Sequence, residues 1–218
     1  MLIVLEGPEA VGKSTQLKRI AEWFTASGID FVTVREPGGT ELGDAVRNIL
    51  LTSPVTPTAA GEALLFMASR AQLVKEVIRP ALAQGRTVIV DRFFLSTYAY
   101  QIHGRGLKEE EVRSANRLAT EGLVPDLTLL LQLSSRESRS RLASRAGSPD
   151  RMERDSTEFH DRVASAFTTF ATPEWQRAHA ECGPIVSIDA SGSEVAVFEK
   201  LKRAILEAWP GSFPGQPA

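Results

Sequence analysis

The chain has 218 residues, 43% of them hydrophobic and 24% charged, with a formal net charge of −2. That balance excludes a disordered, collagen-like or coiled-coil chain and a strongly basic nucleic-acid binder, so any anion-binding site must be local. The single Cys182 excludes an internal disulfide framework and a cysteine zinc site, and His103, His160 and His179 show no metal-ligand spacing. No apolar run approaches the roughly 20 residues of a membrane-spanning helix. Met1 to Glu6 lacks a basic n-region, so the expected compartment is the reducing cytoplasm, with no membrane partner.

In chain order, Leu2 to Leu5 is a short aliphatic run ended by Glu6-Gly7 and predicts the first strand. The helical pattern of Gln16 to Ala26 follows, then a run at Phe31 to Val34, a helix over Glu41 to Leu51 and a long helical stretch from Ala59 to Ala83. Thr87 to Val90 predicts a third strand, Glu109 to Glu121 a helix, and Leu127 to Leu133 a fourth strand. Ile185 to Ile188 and Glu194 to Ala208 close the series. The apolar runs are nearly continuous rather than alternating, which suits strands buried on both faces of a parallel sheet. Strands alternating with helices predict one α/β domain over residues 1–209, with five parallel strands flanked by helices. The tail from Pro210 to Ala218, with three prolines and two glycines, is expected to fray.

Gly7-Pro8-Glu9-Ala10-Val11-Gly12-Lys13-Ser14, continued by Thr15, has the form G-x-x-x-x-G-K-S between a strand and a helix. This is the phosphate-binding P-loop, in which backbone N–H groups and the helix start cradle phosphates. Lys13 is expected to reach the β- and γ-phosphates of ATP, and Ser14 to ligate Mg²⁺. Thr87 to Val90 ends in Asp91, the position expected to hold magnesium or its water. Pro125-Asp126-Leu127 opens the next strand, and Asp126 reads as structural. No N-K-x-D guanine motif follows, which excludes an ordinary GTPase. A small phosphotransferase remains, and it needs a second phosphate site made of arginine. Arg35, Arg70, Arg92 and the segment Ser134 to Asp155, with six arginines and no lysine, fit that need.

Five stretches carry a family resemblance: LEGPEAVGKSTQ at 5–16, REPGGTELG at 35–43, LFMASRAQ at 65–72, DRFFLSTYAYQ at 91–101 and PDRME at 149–153. In this order and spacing the chain resembles the bacterial thymidylate kinases over nearly its whole length. The resemblance implies ATP- and Mg²⁺-dependent phosphorylation of dTMP to dTDP by a homodimer, with the long apolar stretch Ala63 to Val77 as a candidate contact. It places Glu9 on the acceptor sugar's 3′-hydroxyl, Phe66 on the face of thymine and Arg70 on the base edge. It places Arg92 on the acceptor phosphate, Tyr100 beneath the sugar, and Thr97 and Gln101 toward the base. Arg35-Glu36-Pro37 resembles the loop over the acceptor phosphate, and Ile188 to Ser191 the turn that holds adenine. The chain departs from the pattern at Phe93, where relatives have Tyr or His, and at Ala10, where some carry an arginine. The lid, at about 136–155, is therefore expected to supply the catalytic arginine, Arg145 first, then Arg141 and Arg151. Two other readings stand beside this one: a kinase for another acceptor, such as a deoxynucleoside or a shikimate-like alcohol, and a P-loop regulator that binds ATP and signals.

Overall fold

The computed structural model describes residues 1–134, 137–138, 140–141 and 150–213. Five strands form one sheet: β1 (Leu2–Glu6), β2 (Phe31–Arg35), β3 (Thr87–Asp91), β4 (Leu127–Gln132) and β5 (Ile185–Asp189). The order is β2-β3-β1-β4-β5, and every pairing is parallel. Between them run α1 (Lys13–Ala26), α2 (Glu41–Leu51) and α3 (Ala59–Leu73). α3 continues through a π-helical segment (Val74–Ile78) into α4 (Arg79–Ala83). α5 (Phe94–Thr97) passes into a second π-helical segment (Tyr98–Gly104), followed by α6 (Glu109–Thr120). α7 (Thr157–Phe170), α8 (Pro173–Ala178), a 3-10 turn (Ala180–Cys182) and α9 (Glu194–Ala208) follow.

The continuous apolar runs are explained by a core on each face of the sheet. Leu2 and Val4 of β1, with Val88 and Val90 of β3, face a layer that includes Leu73, Phe94, Phe159 and Phe167. Ile3, Leu5 and Ile89, with Leu129 and Leu131 of β4, face α1 and α9 through Ile20, Phe24, Leu201 and Ile205. Successive side chains alternate faces, so a strand covered on both sides must be apolar at every position. The two edge strands depart from this expectation. β2 and β5 have one buried residue each, Val34 and Ile188, because each strand has a neighbour on one side only.

In the tail, Phe213 is buried and stacks on Trp23 at 5.4 Å, filling the layer between α1 and α9; residues 214–218, where fraying is also expected, lie outside the described residues. Beyond the expected elements, α7 forms where Phe159, Val163, Ala166, Phe167 and Phe170 repeat at helical spacing behind the Ser156 cap. Asp126 is structural, as read: its Oδ2 accepts the Leu2 N–H at 2.7 Å.

The chain winds to one side of β1 for β2 and β3, and to the other for β4 and β5. A crevice therefore opens beyond the carboxyl ends of the strands where the winding reverses.

Candidate active site

A cavity of about 1090 Å³ occupies that crevice. One end is made of backbone. Gly7 has φ +139° and a Cβ there would lie 2.4 Å from the Leu131 carbonyl oxygen, so no other residue fits. Ala10 (φ 58°) and Gly12 (φ 97°) are also left-handed, and buried Val11 plugs the loop into the core. α2, α3, α7, α8 and α9 start with a Thr or Ser whose hydroxyl accepts a backbone N–H of the first turn. α1 starts at Gly12 with no side-chain cap and no acid in its first turn. Its orphan N–H groups and positive dipole end are left for an anion.

Lys13 folds back over this loop, donating to the Gly7 and Pro8 carbonyls at 2.8 and 2.7 Å. Burial lowers its pKa to about 7, Arg92 adds to the fall, and Asp91, Glu6 and Glu9 oppose it. Ser14 is exposed beside it, and Thr15 lines the same wall. Asp91 ends β3 at the cleft with Oδ1 buried and without a hydrogen-bond partner. Arg141 lines the cleft near Gly12 and donates to the Ala190 carbonyl at 3.1 Å, joining the P-loop to the turn after β5. The Ser138 hydroxyl donates to the Glu9 carbonyl at 2.9 Å.

Arg92 follows Asp91 in a left-handed conformation, φ 70°, which a non-glycine residue keeps only when its surroundings enforce it. The enforcer is Glu6, fully buried at the end of β1. Its carboxylate accepts from the N–H groups of Phe93 (2.7 Å) and Ser96 (3.0 Å) and from the Ser96 hydroxyl (2.7 Å), capping α5 from a distant strand. Arg92 donates to Ser96 Oγ at 3.0 Å and stands 5.4 Å from the Tyr100 ring centre. Burial opposes its charge, but Tyr100, Glu9, Asp91 and Glu6 together raise its pKa above the ordinary arginine value. The Tyr100 hydroxyl donates to Glu9 Oε1 at 3.1 Å, while Glu9 Oε2 is buried without a partner. Burial pushes the Tyr100 phenol up, Arg92 pulls it down, and Glu9 adds to the rise.

The other end of the cleft is made of side chains. Phe66 and Arg70 reach it from α3, Thr97 from α5 and Gln101 from the π-helical segment behind it. Arg70 is buried and held by four hydrogen bonds to three partners: Nε donates to Glu36 Oε2 at 2.7 Å, Nη2 to Glu36 and to the Phe93 carbonyl, and Nη1 to Asn116. Of its five N–H groups, one on Nη1 is left for a ligand. Burial pushes the Glu36 carboxyl up, and Arg70 opposes it. Arg35 lines the same wall, and the Glu36-Pro37 bond beside it is cis.

The lid candidates separate. Arg141 is at the cleft, and Arg145 lies outside the described residues. Arg151 does not line the cleft. It donates to Glu62 Oε2 at 2.6 Å and to the Leu50 carbonyl at 2.6 Å, because a buried carboxylate there binds it more strongly than open solvent would. The structure also adds residues the sequence reading did not single out. Arg47 lines the cleft and donates to the Pro37 carbonyl at 2.9 Å; Glu6, Ser96 and Asn116 position Arg92 and Arg70. A charged residue among apolar ones, as at Glu6 after Leu5, was the available signal.

The thymidylate kinase family model matches residues 5–191. A thymidylate kinase of Synechococcus sp. (strain JA-3-3Ab) is 48% identical over 215 residues, covering 96% of this chain and 99% of the relative. One from Deinococcus radiodurans is 47% identical over 207 residues, covering 95% and 97%. The crystal structure of thymidylate kinase from Ehrlichia chaffeensis superimposes with a TM-score of 0.72 at 26% identity, covering 94% of this chain and 97% of the other. With these matches spanning the P-loop, the Asp91-Arg92 turn and the side-chain wall alike, the chain belongs to the thymidylate kinase family.

Proposed function

We propose that this protein transfers the γ-phosphoryl group of ATP to the phosphate of dTMP, giving ADP and dTDP. One observation carries the reading: a single cleft joins an uncapped helix start, with Lys13 on it, to a wall of Phe66, Arg70, Thr97 and Gln101, with Arg92 between them. The acceptor phosphate is already an anion and needs no strong base. Catalysis is then alignment plus neutralisation of charge on the transferred group.

The P-loop N–H groups and Lys13 hold the donor phosphates, and the turn at Ala190 receives adenine. Arg92 holds the acceptor phosphate in line with them. Glu9 Oε2, buried and unpaired, accepts from the sugar 3′-hydroxyl, and Tyr100, fixed on Glu9 Oε1, fills the space a 2′-hydroxyl would need. Phe66 stacks on the base. Ser14 and Asp91 are the residues that would hold Mg²⁺; the unpartnered Asp91 Oδ1 fits that role, and the ion would neutralise charge on the β- and γ-oxygens. Arg141 takes the place of the arginine that Ala10 cannot supply.

Among the described residues no helix is long and apolar enough to cross a membrane. The buried lone thiol of Cys182 suits a cytoplasmic enzyme, and the exposed Leu64 on α3 suits a homodimer contact. An ADP-release assay with dTMP, dUMP, dCMP, dGMP and thymidine tests the reading. dTMP should turn over fastest and thymidine not at all, since it lacks the phosphate Arg92 holds. Slow turnover indifferent to the acceptor would instead favour the P-loop regulator.

A further inference from the structure

Glu62, on the first turn of α3, touches no part of the cleft, yet its carboxylate holds Gln101, which does line it, together with Arg105 and Arg151. It is 1% exposed. Oε1 accepts from Gln101 Nε2 and from Arg105 Nε, both at 3.0 Å. Oε2 accepts from Arg105 Nη2 at 3.0 Å and from Arg151 Nη2 at 2.6 Å. Arg105 continues to Asp155 at 2.7 and 2.8 Å, and Arg151 to the Leu50 carbonyl at the end of α2. Burial raises the carboxyl's pKa, but the bonds from Arg105, Arg151 and Gln101 outweigh it, and the net shift is downward. At neutral pH Glu62 is therefore a carboxylate, which accepts hydrogen bonds and donates none.

That asymmetry decides how Gln101 faces its ligand. An amide beside an acceptor-only group must turn its NH₂ toward it, and the end left for the cleft is Oε1, an acceptor. Thymine and uracil carry N3–H, a donor; cytosine carries a bare N3, an acceptor. An acceptor at this place pairs with the first two and leaves a buried clash of lone pairs with the third.

Resting on the dTMP kinase reading, we infer that Glu62 is a positioning residue for base selectivity: by fixing the amide orientation of Gln101 it makes the site select pyrimidines that carry an N3–H. In Glu62→Gln the neighbouring group can donate as well as accept, and Gln101 is free to flip. The kcat/KM ratio of dTMP to dCMP should fall about tenfold or more, the cost of one buried mismatched pair. The ratio of dTMP to dUMP should stay within about twofold, since both bases present the same N3–H. KM for ATP should not move. A merely structural role would lower stability and scale all acceptors together.

Gln101→Asn gives a second route that leaves Arg105 and Arg151 on Glu62. It withdraws the amide by one methylene and should lower the dTMP to dCMP ratio in the same way. Thermal melts establish that each variant is folded. If a folded variant of either kind keeps the wild-type dTMP to dCMP ratio, the inference is overturned; if Glu62→Gln does not fold, Gln101→Asn decides alone. A wild-type enzyme that fails to phosphorylate dTMP would overturn the underlying reading instead, before any variant is compared.

Discussion

At the phosphate end of the cleft the groups that would meet a ligand are mostly backbone N–H groups of residues 7–14, held by Gly7, Ala10 and Gly12 in left-handed conformations and by the open start of α1. At the base end they are side chains held by buried partners: Arg70 by Glu36, 34 residues away, and Gln101 by Glu62, 39 away, with Arg151, outside the cleft, on the same Glu62 from 89 away. The first construction depends on conformation and tolerates many side chains. The second depends on buried charge pairs, where removing one partner strands the other. A site assembled from both should fail in two distinguishable ways.

The largest effect should come from the base end. Arg70→Met leaves Glu36 buried without its partner and should destabilise the folded protein by about 3–5 kcal/mol in urea unfolding. Burial already pushes the Glu36 carboxyl up, so the folded state takes up a proton more readily than the unfolded chain and the deficit should shrink as pH falls. Binding of a non-hydrolysable ATP analogue to the folded variant should be unchanged. A loss of less than about 1 kcal/mol would break the contrast, because it would mean that this wall does not rest on its ion pair.

At the phosphate end the cost should appear in turnover. Lys13→Ala should lose about 3 kcal/mol or more of transition-state stabilisation, read as kcat/KM, with little change in stability. A variant within about tenfold of wild type would remove the P-loop from the mechanism.

The smallest effect sharpens the same contrast through pH. Lys13, lowered to about 7 in the free protein, binds polyphosphate as the ammonium. Above pH 7 nucleotide binding must take up a proton, and affinity should weaken by up to about 1.4 kcal/mol per pH unit; below pH 7 this group adds no dependence. Analogue affinity measured from pH 6 to 9 in wild type and Lys13→Met isolates it, since the slope belonging to Lys13 is absent from the variant.

What could be read from the sequence follows the same division. The P-loop is contiguous, and its glycines and Lys13 sit at fixed spacing, so its geometry is local. The central strands show as unbroken apolar runs because both faces are covered. The edge strands look alike in sequence, but exposure depends on how many neighbours a strand has, which no window of residues contains. The π-helical segment at Tyr98–Gly104 carries no helical period because aromatic and polar residues both face inward there. Arg151 reads as one more arginine of a cationic run. Its commitment to Glu62 is set by a contact 89 residues away, and neither residue alone signals it.

Glu6 ties the end of β1 to the turn after β3, and so fastens the P-loop and Arg92 to one anchor. The P-loop and the Arg92 turn cannot swing independently while that carboxylate holds the turn to the end of β1. Any motion that brings two substrates into line, or lets two products leave, must be made by the facing segments. The strand-end side serves as the fixed jaw of the enzyme, and the side that can be reshaped for a different acceptor is the wall gathered on Glu62.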